Sequence, residues 1–513
     1  MMNFSLFFYL CFFLVNWISC SNHKDPVYWR ELSRNALYHS KTFLSDDDIK
    51  QAKNVIIFLG DGMGMPSISA ARLLKRQITN KNDDHLVFEQ FDHTALIQTY
   101  NIDYAVPDSA GTGTAFCTGV KTNRGTIGVN GNVNYKDTNC ELLQENIVET
   151  VFEKAAKSGK SVGFVTTASI TDATPAATYA HVSSRYDESS SSLNDDKCKD
   201  IALQLIEDHT EYRVMLGGGR KNFLPKGKEV GKREDNRDLF EEWQYKLGNQ
   251  TNHHHYEFVS TKQELSEIDY DKVDYLLGSF CENHMKFDKE LKNDTSETEP
   301  TIEEMTVAAL QILKKNKNGF FLMVEGAKID KAHHTNQAFY SLHDLLAFEK
   351  AIIKAQSMVN LKETLIIVTA DHSHSFTHSG SSLMTNDLFG FSDYTDRDGK
   401  NFTSLIYSTG PGYKESRNYT EKEIKQIDFA QISAVPLDSA THGGDDVAAY
   451  ATGPGSNLLR GSQEQTYIAH LMEFASCIGD YEHEPHCSGC KMLICSTVII
   501  MIVFISHLIR FSF

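Results

Sequence analysis

Acidic residues recur directly after short apolar runs, a placement that can build a metal site. VIIFL (55–59) runs into Gly60-Asp61-Gly62, and VGFV (162–165) into TTASITDATP, with Asp172 and Thr174. FFLMV (320–324) runs into Glu325-Gly326, and LIIVT (365–369) is followed by Asp371, His372 and His374. A single Asp after a strand is as readily a helix N-cap. Four such ends with histidines beside them exceed what capping requires, because buried like charges coexist only with cations among them or protons taken up. EGAKIDKAHHTNQAF (325–339) adds Asp330 and His334, spaced i, i+4 and so on one helical face. DSATHGGDDVAAY (438–450) adds His442 before a glycine pair, where a lone histidine would otherwise read as a turn residue. His372 and His374 alternate in extended chain and face opposite sides, so they do not ligate one ion together. Neutral imidazole beside carboxylate suits zinc, and oxygen-only donors suit a harder cation. The set therefore suggests two zincs with one harder ion nearby.

Two metals about 4 Å apart clamp the attacking and leaving oxygens of an in-line phosphoryl transfer. Such chemistry needs a nucleophile, and VPDSAGTGTAFCTGVKTNRGTIGV (106–129) offers Ser109 behind Asp108 at the mouth of a helix. Ser109 is either a cap or a nucleophile. A metal-coordinated hydroxyl ionises near neutral pH without a general base, and a helix N-terminus favours an incoming phosphate. The small residues beside it are expected to leave room for substrate.

The apolar runs, with ALIQTY (95–100) and YRVML (212–216), are apolar throughout rather than alternating, as strands covered on both faces are. Helix-like stretches such as IVETVFEKAAKSGK and TIEEMTVAALQILKKN separate them. The order predicts an α/β protein with a large, mostly parallel central sheet and helices on both faces, whose ligand crevice lies at the carboxyl ends of the strands. Residues 377–440 are rich in Ser, Thr, Gly and Asp and read as a surface insertion. HHH at 253–255 reads as an exposed loop, not a metal tract.

A chain of 513 residues can bury a large core, and its net charge of −18 argues against nucleic-acid binding. FSLFFYLCFFLVNWI (4–18) reads as a secretory signal peptide over 1–20, with an N-terminal anchor as the alternative. The apolar C-terminus from Lys491, preceded by Ser488 and Gly489, reads as a GPI-attachment signal over 488–513, with a retained membrane helix as the alternative. His507 and Arg510 make a stable span less favourable. Sequons at Asn249, Asn293, Asn401 and Asn418 agree with secretion, and Cys140–Cys198 and Cys477–Cys487 are plausible disulfides there.

NVIIFLGDGMG, VPDSAGTGTA, TPAATYAHVSSR, GFFLMVEGAKIDKAHH, VTADHSH and THGGDDVAAYATGPG, in this order across residues 25 to about 487, make the chain similar to metazoan alkaline phosphatases, membrane-anchored phosphomonoesterases. The resemblance implies a catalytic domain over 21–487 with a crown insertion at about 379–440, a homodimer, and a lipid anchor at the outer face of the plasma membrane. It implies Ser109 as the nucleophile that becomes phosphoserine and Arg185 as a fork on two phosphate oxygens. Asp330, His334 and His442 would hold the first zinc, and Asp61, Asp371 and His372 the second. Asp61, Thr174 and Glu325 would hold magnesium, and His374 would lie behind the first zinc. The sequence departs from the mammalian pattern at Asp172 and Lys331, where mammalian members carry His and the bacterial form carries this Asp and Lys. Vertebrate members have an acidic residue where FCENHMKF has Cys281, so their extra calcium site is not carried over, though Glu282 is adjacent. The competing readings are a related two-zinc phosphodiesterase or nucleotide pyrophosphatase, and an inactive surface binding protein on the same scaffold.

Overall fold

A computed structural model describes residues 23–487, apart from 46–47, 82–83, 193–197, 250–253, 295–297, 381 and 417. The expected signal peptide and C-terminal anchor lie outside the described residues, as does His253. Among the described residues no helix is long and apolar enough to cross a membrane.

The strands of the central sheet are β1 (Asn54–Gly60), β2 (His93–Gln98), β3 (Ser161–Ser169), β4 (Tyr212–Gly218), β5 (Tyr256–Val259), β6 (Tyr275–Ser279), β7 (Phe320–Gly326), β8 (Thr364–Ala370), β9 (Val447–Thr452) and β10 (Gly461–Glu464). Their order across the 10-stranded sheet is β10-β2-β9-β8-β1-β7-β3-β4-β6-β5. Only β9 runs against its neighbours; the other pairings are parallel. Every residue of β3, β7 and β8 is buried. Successive strand residues point to opposite faces, so both faces of the sheet are covered there. Each fully buried Val, Leu or Ile contributes about 1.5–3 kcal/mol, and the continuous apolar runs thus hold the sheet centre rigid.

The helix Ile302–Leu313 feeds β7 and begins at a capping box in which Thr301 and Glu304 satisfy each other's amides. The Ser/Thr-rich stretch builds a sheet of its own from Phe376–His378, Leu405–Gly410 and Ser433–Pro436, beside a hairpin of Phe391–Thr395 and Asn401–Thr403. A two-residue ladder, Ser373–His374 against His442–Gly443, ties the end of β8 to the approach to β9. Disulfides join Cys140 to Cys198 and Cys477 to Cys487. Asn249, Asn401 and Asn418 are exposed; the side chain of Asn293 lies outside the described set. His254 is half-buried, 3.6 Å from Asp274, and His255 is exposed.

Candidate active site

The register of the central strands brings the acidic residues level. Gly60 of β1 lies beside Gly326 of β7 and Ala370 of β8, and Leu59 lies beside Glu325, which also pairs with Thr166 of β3. Asp61, Glu325 and Asp371 therefore leave the sheet at one edge. Asp172 caps the short helix Ala173–Ala176 just beyond β3.

Two groups of metal-binding type form there, each with side-chain atoms within 4.8 Å of one another. The first unites Asp330, His334, His374 and His442. Asp330 Oδ2 is 3.1 Å from His334 Nε2, Asp330 Oδ1 is 3.6 Å from His442 Nε2, and the two Nε2 atoms lie 3.2 Å apart. The protons on these rings can be placed. His334 Nδ1 donates to the carbonyl of Ala440 (2.7 Å) and His442 Nδ1 to that of Pro107 (2.8 Å). In the neutral rings, both Nε2 atoms consequently present lone pairs to each other, an arrangement that a shared cation relieves. His374 has the opposite tautomer. Its Nδ1 accepts the Ser375 amide (3.2 Å), so its Nε2 carries the proton and faces Asp330 Oδ1 at 3.3 Å. His374 thus turns an N–H and not a lone pair toward the carboxylate, at an angle that leaves both atoms without a hydrogen bond among the described residues.

The second group is Asp61, Asp371 and His372, all buried. Asp371 Oδ1 accepts the amides of Gly62 and His372 at 3.0 and 2.8 Å. His372 Nδ1 donates to the Ser373 carbonyl, leaving its Nε2 lone pair 3.1 Å from Asp371 Oδ2 and 3.3 Å from Ser109 Oγ. His372 and His374 therefore fall in different groups, as their alternation requires. Asp61 Oδ1, Asp330 Oδ1 and Asp371 Oδ2 are buried without a hydrogen-bond donor among the described residues. Burial, with Asp330 and Asp371 nearby, pushes Asp61 well above the usual carboxylate range, and burial lifts Asp371 to about 6. Burial beside Asp172 lifts Glu325 to about 8, although Thr166 and Thr174 donate to it. Orphaned carboxylate oxygens facing imidazole lone pairs fit zinc at both groups, and the oxygen donors of Glu325 and Thr174 are of the type that suits a harder ion.

Ser109 opens the helix Ser109–Thr118, capped by Asp108. Gly111 and Gly113 have a different job from the one expected of them. A Cβ at Gly111 would lie 2.4 Å from Asn101 Oδ1, and one at Gly113 would lie 2.9 Å from the Ala177 Cβ. The glycines admit close packing of this buried helix; they do not widen the substrate space.

Arg185 lies between two carboxylates. Nη1 donates to Asp108 Oδ2 and Nη2 to Asp172 Oδ1, each at 3.2 Å. Asp108 Oδ1 in turn accepts from Asn101 Nδ2 and from the amides of Gly111 and Gly125. Burial opposes ionisation of Asp108, but Arg185 and these amides hold it below the usual range. Lys331 Nζ pairs directly with Asp172 Oδ2 at 3.2 Å. Burial again opposes Asp172, yet Lys331 and Arg185 hold it far below the carboxylate range. The cations sit around a pocket of about 570 Å3 that also touches Ser109, Asp330, His334 and His442.

Three contributors escaped sequence reasoning. Asp108 is the second anchor of Arg185 as well as a cap. His284, in the FCENHMKF loop, lines the pocket 3.8 Å from Asp172 Oδ2. Gln465 donates from Nε2 to the Asp371 carbonyl at 2.8 Å. No local pattern marks any of them, because each is brought in by tertiary packing. Cys281 is half-buried, its thiol 3.3 Å from the Asn283 carbonyl and pushed up to about 12 by burial.

Known proteins resemble this chain along most of its length. The alkaline phosphatase family model matches residues 52–478. The rat tissue-nonspecific alkaline phosphatase is 40% identical over 496 residues, covering 93% of each chain. The alkaline phosphatase of Gadus morhua is 39% identical over 477 residues, 89% of this chain and 98% of that one. Among solved structures, the alkaline phosphatase of the Antarctic bacterium TAB5 superposes with a TM-score of 0.59 at 24% identity, over 84% of this chain and 100% of that one. The Thermus thermophilus enzyme does so with 0.61 at 23%, over 83% and 91%. Those two likenesses speak for the fold, and the family match and the 40% relatives for more: the chain belongs to the alkaline phosphatase family and is a phosphate monoester hydrolase.

Proposed function

We propose that the chain hydrolyses phosphate monoesters through a phosphoserine on Ser109, with two zincs and one magnesium per subunit, as a homodimer carried by a GPI anchor on the outer face of the plasma membrane. One observation carries the reading. The converging lone pairs of His334 and His442 and the orphaned oxygen of Asp330 line the same pocket as Ser109 and a twice-anchored Arg185, and His372 of the second group, beside the orphaned oxygens of Asp61 and Asp371, lies 3.3 Å from Ser109 Oγ. Asp330, His334 and His442 would hold one zinc, Asp61, Asp371 and His372 the other, and Asp61, Thr174 and Glu325 magnesium. Bound there, the ions supply Lewis-acid stabilisation of ester oxygens and lower the pKa of a hydroxyl.

The protein's own groups do the rest. Each terminal nitrogen of Arg185 carries two hydrogens and spends one on a carboxylate, which leaves one apiece for two phosphate oxygens. Asp108 and Asp172 fix that fork before substrate arrives, and Lys331 adds a positive charge at the same wall. Ser109 Oγ bonds to phosphorus and gives up its proton as the alcohol leaves. Water then adds to the phosphoserine, releasing phosphate and restoring the hydroxyl. The amides opening the Ser109 helix favour the doubly charged group throughout.

Metal analysis by mass spectrometry combined with acid-trapped peptide mapping tests this. The expected result is zinc and magnesium in a two-to-one ratio and a phosphorylated peptide containing Ser109, absent in Ser109→Ala. Full monoesterase activity in Ser109→Ala refutes the phosphoserine route.

A further inference from the structure

The wall of the catalytic pocket holds one donor that the phosphate clamp leaves unused. His284 lines the pocket, and its side chain is 38% exposed. The backbone on both sides of it is pinned to the sheet. The Met285 amide donates to the Thr167 carbonyl of β3 at 3.0 Å, and the Phe280 amide donates to the Gly217 carbonyl of β4 at 2.9 Å. Ser169, the last residue of β3, sets the ring itself. Its amide donates to His284 Nδ1 at 3.2 Å, and its carbonyl accepts the Asp172 amide at 2.9 Å. One residue therefore registers the imidazole to the carboxylate that anchors both Arg185 and Lys331.

The bond from Ser169 also fixes the tautomer. Nδ1 accepts, so in the neutral ring Nε2 carries the proton. Burial pushes the ring down to about 4, against the pull of Asp172, and the neutral form is the one present at pH 7 and above. Nδ1 stands 3.8 Å from Asp172 Oδ2, too far for a hydrogen bond, so Asp172 keeps its oxygens for the two cations. Among the described residues His284 Nε2 has no hydrogen-bond partner of its own. The neighbouring donors are partly committed. Arg185 gives one hydrogen from each terminal nitrogen to a carboxylate, and Lys331 gives one to Asp172. Lysine offers charge on a flexible stem, whereas this imidazole is planar and held in place. A phosphate dianion has more acceptor sites than a two-pronged fork fills, and a neutral donor adds direction without adding charge.

Resting on the phosphate site described above, we propose that His284 is a further substrate-binding residue, its Nε2–H donating to a non-bridging phosphoryl oxygen directly or through one water.

The test separates the two ring nitrogens. In His284→Asn the amide oxygen falls near the Nδ1 position and still accepts from Ser169, but the Nε2 donor is gone. In His284→Gln the amide nitrogen falls near the Nε2 position and restores a donor, but the Nδ1 acceptor is gone. Inorganic phosphate is titrated calorimetrically into the metal-loaded parent and both variants, and Tm is measured for each. His284→Asn should keep its Tm and bind phosphate about tenfold more weakly, as expected for a lost hydrogen bond to a charged group. His284→Gln should have the lower Tm yet bind phosphate within about threefold of the parent. KM for p-nitrophenyl phosphate should follow the phosphate affinity, not Tm, in both. A loss below about threefold in His284→Asn, or a loss in His284→Gln as large as that in His284→Asn, overturns the proposal. A parent protein that binds no phosphate strikes the phosphate site itself, whereas a parent that binds it alongside an indifferent His284→Asn strikes His284 alone.

Discussion

Replacing Arg185 with Ala removes the fork while leaving both of its carboxylate anchors in the wall. Each charge-assisted hydrogen bond to a phosphate oxygen is worth about 1.5–3 kcal/mol, so losing two costs about 3–6 kcal/mol, or about 10²- to 10⁴-fold in kcat/KM for a monoester. Lysine restores the charge but only one directed contact, and Arg185→Lys should recover part of the loss, remaining about 10- to 100-fold below the parent. A diester has one ionised oxygen fewer and uses the fork less, so its loss should be roughly the square root of that for the monoester. The assay compares p-nitrophenyl phosphate with methyl p-nitrophenyl phosphate at fixed zinc and magnesium. Because Asp108 loses its guanidinium partner and keeps only neutral donors, while Asp172 keeps Lys331, a stability loss of up to about 3 kcal/mol is expected too, and activities are read well below the measured Tm. A folded Arg185→Ala protein within fivefold of the parent on the monoester, or with equal losses on both esters, refutes the assignment of the fork.

Further outcomes follow from the same geometry. In protein stripped with EDTA, Glu325 keeps its proton up to about pH 8 when folded but titrates near pH 4.5 when unfolded. The folded state then binds more protons, and stability falls as pH rises, by up to about 1.4 kcal/mol per pH unit for such a group. His372, pushed down to about 4 by burial, acts in the opposite sense only below about pH 6.5. Tm of the stripped protein should therefore fall between pH 6.5 and 8, and added zinc and magnesium should flatten that slope; a Tm that rises across this window contradicts the account. Asp172→His with Lys331→His breaks the 3.2 Å pair and should change kcat and move the pH optimum upward, which a pH–rate profile on p-nitrophenyl phosphate checks. Gly443→Ala places a Cβ 2.2 Å from Ser373 Oγ, forcing apart the ladder that carries His374 and His442. Zinc affinity by competition with a chelator should drop by about tenfold or more.

The sheet and most of the chemistry-bearing residues were legible because both depend on local pattern. Unbroken apolar runs mark strands buried on two faces, and a carboxylate just past such a run must emerge at the carboxyl edge. The alternation of His372 and His374 predicts that they face different ways, and their side chains fall in different groups. What stayed hidden depends on contacts between distant segments. Asp108 reads as a cap in its own stretch, and only folding brings Arg185 to its other oxygen. The tautomers that distinguish His374 from His334 and His442 are set by backbone groups at Ser375, Ala440 and Pro107, which no spacing rule reveals. The glycines near Ser109 misled for the same reason, since what they make room for is Asn101 and Ala177.

The ladder between Ser373–His374 and His442–Gly443 also bears on biosynthesis. His442 comes late in a chain made from its N-terminus, long after Asp61, Asp330 and Asp371 have left the ribosome. Strand pairing between segments far apart in sequence is slow to form, and the first pocket stays one imidazole short until the penultimate strand is ready to dock. Ion capture is thereby deferred to a nearly finished molecule, so truncated translation products should emerge without the high-affinity cage and without its hydrolytic power.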